Sequence, residues 1–198
     1  MKRISPYPIL ALVAALLAWT LLYWQPQPDG PATAPTLPPG GDFTLQAESG
    51  ALSLSQFRGK VVLLYFGYTS CPDICPTSLT LMSIALARLG EAELAQVQGL
   101  FVSVDPPRDT PERLAQYSSH FHPNIIGITG SADQVAEVAQ RYGAIYRQAE
   151  GETALGYTVD HSSATYLIDP QGRLSAILPH GTAPQEILQQ VRQLLQKN

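Results

Sequence analysis

Cys71 and Cys75, the two cysteines of this 198-residue chain, are the residues whose type and spacing point most directly to chemistry. They follow the unbroken apolar run Val61–Phe66, which is typical of a strand buried on both faces of a sheet. Pro76 comes directly after Cys75 and favours the first turn of a helix, whose apolar periodicity continues through Leu79–Leu89. We therefore predict a helix that begins near Pro76, with both thiols in the loop before it.

Thiols at the N-terminal end of a helix are predisposed to ionise. The unpaired amides and the positive dipole end stabilise a thiolate and lower the pKa of a cysteine. Two neighbouring thiols of low pKa can cycle between dithiol and disulfide, or they can hold a soft metal ion such as copper(I). A disulfide that only staples so short a loop would constrain the unfolded chain little, so we favour a functional pair.

His161 is the candidate for a third metal ligand. It follows the acidic Asp160 and precedes two serines. A lone histidine is usually a satisfied, partly buried side chain, but two thiolates are an incomplete site for most metals. An imidazole would complete a trigonal sulfur and nitrogen set suited to copper. The sequence does not fix its distance from the thiols, and we interpret the other three histidines as surface residues: His120, His122 and His180.

Three further side chains near these motifs have structural interpretations. Asp73 lies between the cysteines and is expected to cap the helix that follows. Tyr68 and Tyr157 are close enough in sequence to the candidate ligands to line a site, but aromatic packing is the expectation that we adopt.

Strands alternate with helices along residues 42–198, and the chain ends in a hairpin and a helix. This order predicts a layered α/β domain. The predicted elements are a hairpin within Asp42–Leu54, the strand Val61–Phe66, the helix after the cysteines, a strand at Val97–Val104, a helix capped by Asp109 or Thr110 and opened by Pro111, a strand at Asn124–Ile128, a helix at Ala132–Tyr142 between Ser131 and Gly143, a hairpin within Ala164–Leu178, and a helix at Pro184–Gln196.

The N-terminus carries a targeting or anchoring segment. Lys2 and Arg3 precede the uncharged run Ile9–Trp24. A cleaved signal peptide and an uncleaved anchor both fit, and we favour the anchor because aromatic residues at its end suit a membrane interface. The two basic residues orient the N-terminus to the cytoplasm, so we expect a single-pass protein of a bacterial-type inner membrane, with its domain in the periplasm.

This organisation predicts three segments: an anchor at residues 1–24, a proline-rich linker at 25–41 and a folded domain at 42–198. The formal net charge is −4 and there are no basic runs, which excludes nucleic acid as an expected partner.

Several motifs, taken together and in order, closely resemble the SCO/SenC family of copper proteins. They are Gly67–Pro76 (GYTSCPDICP), Val104–Pro111 (VDPPRDTP), Asp160–Ser162 and Tyr166–Gly172. The likeness covers essentially the whole exported domain and extends to the anchor. It departs at Pro107, where many members carry an acidic residue, in a turn away from the candidate ligands.

The resemblance implies a thioredoxin-like fold with an extra β-hairpin and a copper ion held by Cys71, Cys75 and His161. It also implies a role in maturing the copper A site of cytochrome c oxidase, as a metallochaperone, as a thiol reductant of the recipient cysteines, or as both. The expected partners are the copper A-bearing subunit, a periplasmic copper donor and a thiol reductant.

Two other functions use the same residues. The alternative from the enzyme class is a periplasmic thiol:disulfide oxidoreductase, with Cys71 and Cys75 as its redox-active pair and no obligatory copper transfer. Three residues separate the cysteines, whereas typical thioredoxin-type redox motifs have two, and this spacing favours metal. A redox or copper sensor is the third hypothesis.

Overall fold

The computed structural model describes residues 7–23, 37–150 and 156–197. The chain divides into two units, residues 1–36 and 37–198. In the first unit, helix α1 spans Tyr7–Tyr23, and the ring of Trp19 stacks on that of Tyr23. Among the described residues, no helix combines the length and apolar character needed to cross a bilayer. The anchor stays a prediction, and most of the predicted linker, residues 25–36, lies outside the described residues.

The second unit contains all the other elements. In chain order they are β1 (Thr44–Ala47), β2 (Gly50–Ser53), a turn of 3-10 helix (Leu54–Phe57), β3 (Val61–Gly67), α2 (Ile74–Leu86), α3 (Glu91–Leu94), β4 (Val97–Ser103), α4 (Pro111–Ser119), β5 (Ile125–Ile128), α5 (Ala132–Tyr142), β6 (Tyr146–Glu150), β7 (Tyr157–His161), β8 (Thr165–Ile168), β9 (Leu174–Leu178) and α6 (Pro184–Gln196).

The core of this unit is a mixed sheet whose described strands follow the order β5-β4-β3-β8-β9. Strands β4 and β5 run parallel to β3, whereas β8 is antiparallel to β3 and β9 is antiparallel to β8. Every residue of β3 and β4 is buried, as their unbroken apolar sequences predict. With helices alternating between the strands, the prediction of an α/β domain is confirmed.

Different helices cover the two faces of β3. Tyr65 lies on one face beside Phe101, whose ring meets that of Tyr117 in α4 at a centroid distance of 5.5 Å. Phe66 lies on the other face and meets Tyr142 of α5 at 6.2 Å. Because β3 and β4 are parallel, their carboxyl ends adjoin, and the loops that follow them are neighbours in space.

The predicted helix boundaries at α4 and α5 are confirmed. Helix α4 begins after Thr110, whose Oγ1 accepts a hydrogen bond from the Arg113 amide at 3.2 Å. Helix α5 begins after Ser131, which accepts from the Gln134 amide, and ends at Gly143 with a φ of +66°. Glycine adopts this left-handed conformation without the strain that a Cβ would add.

Strands β6 and β7 form a two-stranded sheet of their own, in which Tyr146 pairs with His161. The pair β1 and β2 likewise forms a two-stranded sheet outside the five-stranded one. Within the described residues, no backbone ladder joins the β6–β7 hairpin to the five-stranded sheet. The position of this hairpin is set by its short connections to α5 and β8 and by side-chain contacts.

Candidate metal centre

The structure brings Cys71, Cys75 and His161 together. Their two sulfur atoms and the histidine ring nitrogen lie within 4.8 Å of one another. His161 Nε2 is 3.2 Å from Cys75 Sγ. Both cysteines are free thiols, Cys75 fully buried and Cys71 partly exposed. Three donor atoms thus converge from the loop after β3, the start of α2 and the end of β7.

Helix α2 begins at Ile74, two residues before the predicted start. The expectation that both thiols lie in the preceding loop is therefore wrong, because Cys75 belongs to the first helical turn. Amides in the first turn have no partner within the helix, so Pro76 costs no hydrogen bond at the third helical position. The Cys75 amide is one of these free donors, and it lies 3.5 Å from Cys71 Sγ, to which it donates.

Asp73 occupies the N-cap position, but its side chain makes no capping hydrogen bond, so the predicted cap is wrong. A capping side chain accepts from the second or third amide of the helix. Here the second amide belongs to Cys75 and already donates to Cys71, while Pro76 has no third amide to offer. The Asp73 carboxylate instead accepts from Thr77 Oγ1 at 3.4 Å.

The pKa values of the two thiols are shifted in opposite directions. Hydrogen bonding from the Cys75 side chain lowers the pKa of Cys71 to about 3, helped by His161 and by the Cys75 amide. The same hydrogen bond to Cys71, together with burial and the charge on Cys71, raises the pKa of Cys75. The pair therefore loses one proton easily and the other with difficulty, and the thiolate resides on the more exposed sulfur, Cys71.

His161 directs its Nε2 toward Cys75. Its Nδ1 lies 3.0 Å from the carbonyl oxygen of Ser162, which can only accept a hydrogen bond, so Nδ1 carries the proton. Nε2 is therefore the ring nitrogen that remains for a metal ion. The ring stands edge-on to Tyr65 and Tyr68, with centroid distances of 6.2 and 5.8 Å.

Gly67 provides the space for the Cys75 sulfur, a role that sequence reasoning missed. A Cβ built on Gly67 would lie 2.6 Å from Cys75 Sγ and 2.8 Å from the Phe101 ring. No larger residue fits here unless the sulfur moves. The available signal was that an apolar run ends in glycine just before the cysteines, but this pattern also fits an ordinary break between strand and loop.

A cavity of about 360 Å³ opens beside the donors. Its lining includes Cys71, His161 and Tyr68, together with the exposed Ile74 from the first turn of α2. Tyr68 is buried, so it packs as expected and also lines the site. Tyr157 does not line this cavity and instead packs under the Arg108 guanidinium. The cavity gives a partner molecule access to the Cys71 side of the centre.

Asp109 fixes the loop that leads to the cysteines. Sequence reasoning considered it as a helix cap, but Thr110 caps α4, and the Asp109 carboxylate is fully buried. It accepts hydrogen bonds from the amide and the hydroxyl of Thr69 and from the Ser103 hydroxyl. The end of β4 and the loop after β3 are thereby joined two residues before Cys71.

The other histidines do not join the cluster. His120 is exposed. His122 is partly buried rather than on the surface as predicted; burial lowers its pKa, and its Nδ1 accepts from the Asn124 amide at 3.1 Å. His180 is exposed as expected and lies 3.0 Å from Ser78 Oγ.

Comparisons with known proteins find relatives over most of the chain. The SCO1/SenC family model matches residues 31–196. A SCO2-like protein of Rickettsia conorii is 39% identical over 155 residues, which is 77% of this chain and 75% of that protein. The structure of Arabidopsis thaliana ScoI with copper bound is 34% identical, with a TM-score of 0.74, and the match covers 80% of this chain and 99% of that one.

A more distant structure is BsSco, described as a member of the Sco family of cytochrome c oxidase assembly proteins and as having a disulfide switch. It is 26% identical, with a TM-score of 0.65, and the match covers 83% of this chain and 98% of that one. The family match includes the strand, the loop and the hairpin that carry the three donor atoms, and the chain therefore belongs to the SCO1/SenC family.

Proposed function

We propose that the protein is a membrane-anchored copper chaperone that binds one copper ion through Cys71, Cys75 and His161. It delivers this ion to the copper A site of cytochrome c oxidase, reduces the cysteines of that site, or does both. The observation that carries the proposal is the convergence of two sulfurs and one imidazole nitrogen within 4.8 Å, in a chain of this family.

The chemistry of the donor set fits copper(I). Thiolates are soft ligands and imidazole binds copper well, so a Cys-Cys-His set favours this ion over hard cations such as magnesium or calcium. Cys71 already has thiolate character, and His161 offers Nε2 while Nδ1 is held by a carbonyl. The relative from Arabidopsis, whose structure contains copper, supports the same conclusion.

The unequal exposure of the donors suits a cargo that must be released. Cys75 is fully buried, whereas Cys71 and His161 are partly exposed and line the cavity. A thiolate from a recipient protein can enter there and replace Cys71 first. The remaining ligands can then be exchanged one at a time, without free copper in solution.

The second candidate, thiol:disulfide exchange, rests on the same asymmetry. The accessible, low-pKa Cys71 thiolate would attack a disulfide of the recipient, form a mixed disulfide and release one recipient thiol. Cys75, after losing its proton, would then attack Cys71 Sγ and release the second recipient thiol. The products are a Cys71–Cys75 disulfide and a reduced recipient, so a separate reductant must restore the dithiol. The disulfide switch described for BsSco supports this candidate.

The proposed setting is a bacterial-type inner membrane. The uncharged segment Ile9–Trp24 would anchor the chain, and Lys2 and Arg3 would keep the N-terminus in the cytoplasm. The domain would then face the periplasm, where it meets the copper A-bearing subunit, a copper donor and a thiol reductant. The description of BsSco as a member of an oxidase assembly family supports the choice of recipient.

Anaerobic copper(I) competition on the reduced full-length protein tests the proposal. Wild type should bind one equivalent tightly, and the double Cys71→Ser, Cys75→Ser variant should lose this binding. His161→Ala should weaken it by roughly a hundredfold or more, since even residues that only support a ligand cost 10–100-fold. His120→Ala, an exposed histidine outside the cluster, is the matched control. An affinity unchanged by His161→Ala would rule out the three-ligand site.

A further inference from the structure

The position of His161 depends on how the β6–β7 hairpin is attached to the domain. The five residue pairs of this hairpin join the whole of β7 to β6, so a constraint at one end of β7 acts on the same ladder that carries the other end. His161 stands at one end of β7 and Tyr157 at the other, about 13 Å apart for a strand of this length. The attachment of Tyr157 is therefore one of the constraints on His161, beside the short connection that joins His161 to β8.

Arg108 and Asp105, in the loop between β4 and α4, hold Tyr157. The Arg108 guanidinium lies 3.7 Å from the centroid of the Tyr157 ring, and its Nη1 donates to the Tyr157 carbonyl at 3.0 Å. The Tyr157 hydroxyl donates to Asp105 Oδ1 at 2.6 Å. The other oxygen of Asp105 accepts from Arg108 Nε. Arg108, Asp105 and Tyr157 thus form a closed set of contacts, which we call the clamp.

Burial and geometry make the side chains of the clamp hard to replace. Asp105 is 3% exposed, so removing either donor would leave a buried carboxylate oxygen without that hydrogen bond. Arg108 uses its flat face on Tyr157 while its edge bonds Asp105 and the carbonyl, which a lysine ammonium cannot reproduce. A second contact on the same strand, from the Val159 amide to the Tyr68 hydroxyl at 3.3 Å, keeps β7 beside the cavity.

The same loop also holds the cysteine side of the site. Asp109, four residues after Asp105, accepts the hydrogen bonds of Thr69 that fix the approach to Cys71. The loop between β4 and α4 therefore contacts both the thiol segment and the histidine segment. It can set the distance between them although it supplies no metal ligand.

We propose that Arg108 and Asp105 are positioning residues that place His161 against the two thiols by clamping Tyr157 at the far end of β7. The proposal rests on the copper site proposed above and adds residues that act through His161 rather than on the metal. Without the clamp, the hairpin keeps its own ladder and the Val159–Tyr68 contact, but the Tyr157 end of β7 is no longer held to the loop after β4.

The first test uses metal-free, full-length protein and the ring signals of its four histidines in proton–carbon NMR spectra. His161 stands edge-on to two tyrosine rings, so its ring signals carry a ring-current shift. Tyr157→Phe and Arg108→Lys should move them toward the position of the exposed His120, while the signals of His122 stay in place. The control is Tyr146→Phe on the same hairpin, whose hydroxyl makes no hydrogen bond among the described residues. An unmoved His161 signal in both folded variants would overturn the proposal.

The second test is a double-mutant cycle on copper(I) affinity, with circular dichroism to confirm folding. Tyr157→Phe and Arg108→Lys should each weaken binding by roughly 10–100-fold, as residues that orient a ligand usually do. In the His161→Ala background, neither should weaken binding further. Equal weakening in both backgrounds would show that the clamp does not act through His161 and would overturn the proposal. If His161→Ala alone leaves binding unchanged, the proposed copper site fails, and the metal-free spectra still decide on the clamp.

Discussion

Replacing Gly67 with alanine places a methyl group where the sulfur of Cys75 lies. The new Cβ would be 2.6 Å from Cys75 Sγ, 2.8 Å from the Phe101 ring and 3.1 Å from the Tyr65 ring. Non-bonded heavy atoms prefer about 3.5–4.0 Å, so the sulfur has to recede by about 1 Å. The Cys75 side chain is short and belongs to the first turn of α2, so it cannot rotate away freely.

This displacement has two measurable consequences. Overpacking of this kind lowers the free energy of unfolding by about 1–3 kcal/mol. Metal–ligand distances in well-formed sites lie within about 0.2 Å of standard values, so a shift of about 1 Å in one donor should also weaken copper(I) binding. We expect a loss of at least about tenfold, equivalent to about 1.4 kcal/mol of binding free energy.

Chemical denaturation and anaerobic copper(I) competition on the same preparations measure both effects. Gly99→Ala is the matched control. Gly99 lies in β4, away from the thiols, and its new Cβ would be 2.9 Å from the Ile125 side chain. It should lower stability without changing copper affinity. A Gly67→Ala variant that binds copper like wild type, or two variants that lose affinity equally, would refute the argument that Gly67 makes room for the sulfur.

Three more predictions concern the thiolate, the loop and the anchor. Because its pKa is lowered to about 3, Cys71 is ionised above that pH, and its rate of alkylation in metal-free protein should stay nearly constant from pH 8 to pH 5. In Cys75→Ala the pKa of Cys71 should rise, because its main hydrogen-bond donor is lost, and the rate should fall about tenfold per pH unit below that pKa. A fall between pH 8 and pH 5 in wild type would contradict the assignment. Asp109→Asn should lower the free energy of unfolding by about 2 kcal/mol and speed hydrogen exchange at the Thr69 amide, which donates to the Asp109 carboxylate. Chemical denaturation and hydrogen-exchange mass spectrometry measure these two effects, and unchanged exchange at Thr69 would contradict the prediction. Deleting residues 1–24 and supplying a cleavable signal peptide should release the domain from the membrane fraction, whereas a domain still sedimenting with membranes would argue against the anchor.

Local sequence signals predicted most of the fold. The uninterrupted apolar runs identified β3 and β4 because both faces of these strands are buried. Ser131 and Gly143 identified the ends of α5 because capping depends on residues within one turn of the boundary. The start of α2 was misplaced because Pro76 is compatible with any position in the first turn, and only the three-dimensional structure shows which one it takes.

The candidate ligands could be named from the sequence, but their support could not. Cys75 and His161 are 86 positions apart, and the motif resemblance rather than any spacing rule linked them. The clamp on Tyr157 involves Arg108, 49 positions away, and its stacking geometry has no local signature. The sequence predicts Asp109 as a possible helix cap because Thr110 and Pro111 follow it. In the structure its buried carboxylate instead accepts a hydrogen bond from Thr69.

The central claim is that Cys71, Cys75 and His161 hold one copper ion together. X-ray absorption spectroscopy at the copper K edge, on the anaerobic copper(I)-loaded full-length protein and on His161→Ala, tests it most directly. We predict a shell of two sulfur atoms and one nitrogen with imidazole outer-shell scattering in wild type, and loss of the nitrogen and of that scattering in the variant. The same shell in both proteins, or a wild-type shell without nitrogen, would contradict the three-ligand site.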